Sequence, residues 1–136
     1  MIKTTFSARL AVAQIVKEYR IMAGNSERRA SLRSFATTLT DALRFLGRSV
    51  SHQSVKNWED RRYLPDRYLM LRLTEAARYD WRSDFAADIL AAIHPDHYEA
   101  ATEIGRRAIL QNSNGSPSWS YLSKNGGTSN GRNTGS

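Results

Sequence analysis

The chain has no cysteine. A disulfide scaffold, a cysteine-ligated zinc site and a thiol nucleophile are thereby excluded. No stretch reaches the roughly 18 consecutive apolar residues of a membrane span, so no membrane partner is expected. The apolar run Leu10-Ala11-Val12-Ala13 follows Lys3, but Gln14 interrupts it and Lys17, Glu18 and Arg20 come next. With no cleavage-site pattern behind it, a signal peptide is not expected. There is no glycine-rich phosphate loop. The acids are spread around helical patterns without a convergent carboxylate pair. Histidine numbers only three, and two of these fall in His94-Pro95-Asp96-His97. Pro95 prevents a continuous helix there, and the spacing is not the i, i+4 pair of a helical zinc site, so these residues read as a linker turn. The rival reading, a metal-dependent nucleic-acid enzyme using His94, Asp96 and His97, lacks a motif of the required geometry. Neither catalysis nor a metal or other cofactor is expected.

What the chain has is basic charge, unevenly placed. The formal net charge is +7 over 136 residues. Residues 1–73 hold 14 basic and 6 acidic side chains, whereas residues 74–111 hold 4 and 7, so the basicity belongs to the first half. Of the 20 basic residues 16 are arginine, the side chain whose fork matches phosphate and guanine. A basic unit beside an acidic one fits a polyanion-binding module next to an interaction segment. The hydrophobic fraction of 40% is enough for a packed core. Residues 112–136 differ: Ser, Asn, Gly and Thr fill 19 of the 25 positions, which predicts a disordered tail.

The body reads as all-α, a bundle of five or six helices. Phe6, Leu10, Val12, Ala13, Val16 and Tyr19 recur at helical spacing and predict a helix over 6–23, with Gly24 past its end. Leu32, Phe35, Ala36, Leu39, Ala42, Leu43 and Leu46 form a second stripe, with Ser31 as cap and Gly47 as stop. A third helix is expected from Ser51 to about Arg61, and a fourth from Pro65-Asp66 onward, carrying Tyr68, Leu69, Leu71, Leu73 and Ala76. Two more are expected at 82–93 and 97–110. The organisation predicted is a 1–77 domain, a 78–111 helical extension and the 112–136 tail. If the first domain ends near residue 77, then Trp81, Phe85, Ile89, Leu90 and Ile93 need cover, which a second copy would supply. A homodimer, or another protein held by residues 80–136, follows as an expectation.

The most specific stretch is Val50-Ser51-His52-Gln53-Ser54-Val55-Lys56-Asn57-Trp58-Glu59. Ser51 is a natural N-cap, and Val50 with Val55 fits a hydrophobic staple. Val55 and Trp58 would anchor the inner face. His52, Gln53, Lys56, Asn57 and Asp60 then point outward. Gln and Asn each pair bidentately with adenine in a major groove, and Lys56 can reach phosphate or guanine. A short helix with those two edges is what groove reading requires.

With Ser31-Leu32-Arg33-Ser34-Phe35-Ala36 ahead of it, this stretch resembles the helix-turn-helix of lambda-repressor-like (Cro/repressor, Xre-type) regulators. The likeness covers about residues 6–77. It implies a sequence-specific regulator of double-stranded DNA, most often a repressor, located in the cytoplasm at the nucleoid. By the same likeness His52, Gln53 and Asn57 fall on base-reading positions, joined by Lys56. Ser51 and Ser54 fall beside phosphates, with Arg33, Arg61 and Arg62 as further backbone contacts. Arg20 and Glu59 fall on positions that form an internal salt bridge in relatives. The sequence departs from the pattern three times. Fourteen residues separate Ala36 from Ser51, where the family has only a few, so the second helix is extended or followed by an extra loop. Leu32 stands where glutamine is frequent, leaving Arg33 as the nearest replacement. Arg61 stands where glycine commonly follows. Two alternatives keep DNA as ligand: an antitoxin with the same domain, or an excisionase-type accessory protein.

Overall fold

A computed structural model describes residues 2–24, 28 and 30–112 of the chain. The expected tail therefore lies outside the described residues, apart from Asn112, which ends the last helix. Among the described residues there are six α-helices and one short 3₁₀ turn, and no strand. They are α1 (Ile2–Ala23), α2 (Leu32–Leu43), the 3₁₀ turn Arg44–Leu46, α3 (His52–Glu59), α4 (Arg67–Ala76), α5 (Trp81–Ile93) and α6 (Glu103–Asn112). The fold class is all-α, as the periodicity predicts. No helix among the described residues is long and apolar enough to cross a membrane.

Local chemistry sets most of the helix starts. Ser31, Ser51 and Asp66 each sit in extended backbone and accept the N–H three residues on, at 3.0, 3.1 and 2.9 Å. Asp80 caps α5 from extended backbone too, but accepts the N–H two residues on, from Arg82 at 2.8 Å. Each cap satisfies a donor that the first helical turn leaves without a partner. The Arg82 guanidinium also turns back to the Thr38 carbonyl at 3.0 Å, tying the start of α5 to α2.

One buried apolar cluster runs from Ala11 in α1 to Ile109 in α6. At its centre Tyr19, Phe35, Trp81 and Phe85 meet ring to ring, with centroids 5.2–6.1 Å apart in the four contacting pairs. These rings join α1, α2 and α5 and make edge and offset contacts that add to their burial. The core has no break at residue 77. The expected division into a 1–77 domain and a separate 78–111 extension therefore meets a continuous core, with α5 and α6 both packed on α1. Phe85, Ile89 and Leu90 are buried within the chain itself. They do not need the second copy that the sequence reading assigned to them.

The last helix begins later than its periodicity predicts, at Glu103 rather than near 97. The cause is a carboxylate inside the protein. Asp88 is fully buried on α5. Its Oδ1 accepts the N–H groups of Ala101 (2.7 Å) and Thr102 (3.1 Å), and its Oδ2 accepts the hydroxyls of Thr102 (2.6 Å) and Tyr19 (2.7 Å). Those four donors hold residues 101 and 102 in a bend outside α6. Gly105 then passes so close that a Cβ there would stand 2.4 Å from the Asp88 Cγ. Only glycine fits at that approach.

Candidate nucleic-acid interface

The inner edge of α3 is as the sequence predicts: Val55 and Trp58 are buried, and Val50 is buried ahead of the cap. Two devices fix α3 on the body. Thr40 on α2 clamps the Val50 peptide from both sides, its hydroxyl donating to the carbonyl (3.0 Å) and accepting the N–H (2.9 Å). At the other end Arg20 of α1 meets Glu59, Nε to Oε2, at 3.1 Å, with side chains only 9% and 11% exposed. The contact lies off the line of a directed hydrogen bond at those two atoms, so charge attraction is the larger part of it.

α3 is shorter than the expected 51–61. Ser51 caps it, and it ends at Glu59 with Asp60 as C-cap. The end is a Schellman motif: the Arg62 N–H reaches the Asn57 carbonyl (2.9 Å) and the Arg61 N–H the Trp58 carbonyl (3.2 Å). That motif needs a left-handed residue, and Arg61 supplies it at φ 63°. An L-residue with a Cβ is disfavoured there by about 1–2 kcal/mol. Arg61→Gly is therefore expected to stabilise the fold by about 1 kcal/mol, allowing for glycine's greater freedom in the unfolded chain. A urea midpoint at or below wild type would show that the arginine side chain compensates its backbone strain.

On the outer face, Gln53 and Lys56 are exposed and His52 and Asn57 half-buried. The side chains are paired with one another. The Gln53 amide donates to the Asn57 Oδ1 at 3.2 Å, and Lys56 meets Asp60 at 2.8 Å. The Lys56 ammonium holds the exposed Asp60 carboxyl below its ordinary range, first through that hydrogen bond. An incoming polar ligand exchanges these contacts rather than meeting bare donors. Ser51 spends its hydroxyl on the cap, accepting from the Ser54 N–H and donating to the Ser54 Oγ at 3.1 Å. Ser51 is therefore not a bare phosphate donor in this state, whereas the Ser54 Oγ is engaged as an acceptor.

The expected backbone contacts separate into two groups. Arg33, Ser51 and His52 come together along a groove of about 420 Å³ between α2 and the start of α3. Arg61 and Arg62 lie past the other end of α3, on a wider groove shared with Gln14, Lys17, Glu18 and Asn112. The two groups are separated by an eight-residue helix, about 12 Å at 1.5 Å per residue. Leu32 turns toward the core and Arg33 outward, so the arginine is the polar group at that corner.

Sequence reading missed Thr37, Thr40, Arg44 and Ser49, which line the first groove. The signal was present: Arg33, Thr37, Thr40 and Arg44 follow a three- and four-residue spacing on one face of α2. The fourteen-residue separation is met both ways. α2 runs on to Leu43, and the 3₁₀ turn and a loop then lead to Ser51. Elsewhere, the His94 and His97 rings stand 6.4 Å apart with Tyr98 beside them. Burial, then the nearby Arg67 and His97, lowers the His94 pKa. No group of three or more His, Asp or Glu able to hold a metal occurs among the described residues.

The fold and surface define an all-α chain that displays a short amide- and lysine-bearing helix between two clusters of arginine. Compared with protein-family models, curated proteins and solved structures, the chain matches none.

Proposed function

We propose that this chain is a sequence-specific binder of double-stranded DNA that acts as a transcriptional regulator, most simply a repressor by occupancy. α3 enters the major groove with His52, Gln53, Lys56 and Asn57 toward base edges, and the Arg33 and Arg61–Arg62 clusters hold the sugar–phosphate chains on either side. One observation carries this reading. The exposed face of α3 is rich in amide and imidazole groups, and cationic groups flank it at both ends. Phosphate neutralisation supplies affinity, and bidentate amide contacts supply discrimination. The activity is binding, with no bond made or broken. Because the apolar faces of α5 and α6 are covered within the chain, a monomer is as compatible with the reading as a dimer.

Selection of bound duplexes from a random pool, at two salt concentrations, tests it. An enriched motif is expected. Asn57→Ala and Gln53→Ala should each relax preference at one or two base pairs, by about 1–3 kcal/mol. Equal weakening on every duplex would overturn the base-reading assignment. Absence of binding at low salt would overturn the DNA reading and turn attention to a protein partner.

A further inference from the structure

The segment that sets this chain apart ends in a tip that the base-reading face does not use. Arg44-Phe45-Leu46 forms the 3₁₀ turn after α2, and Phe45 is 77% exposed with Leu46 beside it in solvent. The tip has a defined shape. The Gly47 N–H bonds to the Arg44 carbonyl (2.9 Å) and the Arg48 N–H to the Leu43 carbonyl (3.3 Å), with Gly47 left-handed at φ 70°. This is a closed Schellman cap, which holds the phenyl ring outward. Leu43 beneath it is fully buried, so the tip stands on the core.

Charge identifies the partner. Arginines 44 and 48 flank the ring, and Arg44 also lines the groove shared with Arg33 and His52. From Arg28 to Trp58 the chain has six Lys or Arg and one acid, Asp41, which pairs with Arg44 at 2.5 Å on the exposed side. The apolar tip is therefore flanked by arginines in the chain and joined through Arg44 to the groove at the start of α3. An apolar surface of a protein partner gives those arginines nothing to pair with. A polyanion with stackable, apolar faces satisfies both the ring and the arginines, and duplex DNA has that chemistry. Proteins that bind the minor groove frequently insert apolar side chains between base steps, unstacking them and bending the duplex.

We infer that the Arg44–Arg48 tip is a second DNA contact, in which Phe45 wedges at a base step beside the site read by α3 and bends the duplex. The inference rests on the DNA-binding reading above. In it, Arg44 leaves Asp41 for a phosphate, and Arg48 takes another. The site then reads deformability as well as base edges, favouring a flexible pyrimidine–purine step under the tip.

The test uses the full chain and a duplex recovered from the random-pool selection, labelled at its ends for energy transfer and carrying 2-aminopurine at successive flanking positions. Wild type should shorten the end-to-end distance and raise 2-aminopurine fluorescence at one step. Phe45→Ala should abolish both signals and weaken binding about tenfold, the scale of one lost aromatic–base stack, with the enriched core motif unchanged. Replacing Arg44 and Arg48 together with Gln should lower the salt slope by about 2. Phe45 is exposed, so the variant should fold, and an unchanged thermal transition checks this. A wild-type complex without bend or unstacking, or a Phe45→Ala complex that keeps them, overturns the wedge while leaving the major-groove reading intact. Failure of wild type to bind any duplex overturns both.

Discussion

Replacing Asp88 with alanine is expected to cost about 3–5 kcal/mol, the range for removing one partner from a buried charged network. Four donors from three residues converge on its two oxygens, and they belong to α1 and to the approach to α6. The alanine variant leaves two backbone N–H groups and two hydroxyls without their acceptor and opens space beside Gly105. A domain of this size has about 5–15 kcal/mol in total, so much of the protein should be unfolded at moderate temperature. Asp88→Asn keeps the shape. Its carbonyl oxygen accepts the two backbone N–H groups and its amide donates to hydroxyls that can reverse, so the cost should be only about 1 kcal/mol. Urea denaturation of the two variants checks the difference. A loss under 1 kcal/mol for alanine would show that water enters and replaces the carboxylate.

The same residue sets a pH dependence. Burial pushes the Asp88 carboxyl above its ordinary value of 3.8, while the hydroxyls of Thr102 and Tyr19 and the two backbone donors pull it down by less. The folded state therefore holds its proton over a range where the unfolded chain has released it. Its contribution to stability is fully present below pH 3.8 and is lost as the pH rises through the raised folded-state value. Burial also pushes the Tyr19 phenol up, so it remains a donor throughout the neutral range. Wild type should lose stability relative to Asp88→Asn on going from pH 4 toward neutrality. A difference that does not vary with pH would show that the carboxyl keeps its ordinary affinity for the proton.

The second large effect is expected at Arg20 and Glu59. Either residue changed to alanine leaves the other charge in surroundings where both side chains are only about a tenth exposed. Breaking such a pair costs about 3–5 kcal/mol, mostly as the penalty on the charge left behind. The double replacement Arg20→Met with Glu59→Leu should cost less than either single change, because apolar groups of similar volume remove both desolvation penalties. A double-mutant cycle in urea separates the two accounts. Additive losses would show that the residues act through separate neighbours. The pair also joins α1 to the last turn of α3. On the DNA-binding reading proposed above, the single variants should therefore lose discrimination between duplexes at temperatures where they remain folded, whereas Asn57→Ala should change discrimination alone.

What could be read from the sequence depended on range. The starts of α2, α3 and α4 were legible because Ser31, Ser51 and Pro65-Asp66 act within three residues. Val55 and Trp58 were legible as an inner edge because helical spacing alone separates them from Gln53, Lys56 and Asn57. The Arg20–Glu59 contact followed from a resemblance, since no local rule joins residues 39 positions apart. Other features lay beyond local rules. The end of α3 depended on Arg61 accepting a glycine conformation, and the start of α6 on a carboxylate fifteen residues upstream. Asp88 itself looked like one more acid in a mildly acidic stretch.

By itself, then, the sequence determined the helical class, the caps, the inner and outer edges of α3 and the gradient of basic charge. The first three rest on side-chain periodicity or on a hydrogen bond to a near neighbour, and the last on composition along the chain. Tertiary structure alone decided that residues 78–112 share the core of residues 8–77, because four aromatic rings from three helices meet at one point. It alone decided that the connection between α2 and α3 leaves an arginine-flanked phenylalanine, Phe45, in solvent. Burial is a property of the assembled packing, and periodicity cannot say which apolar side chain is left outside it.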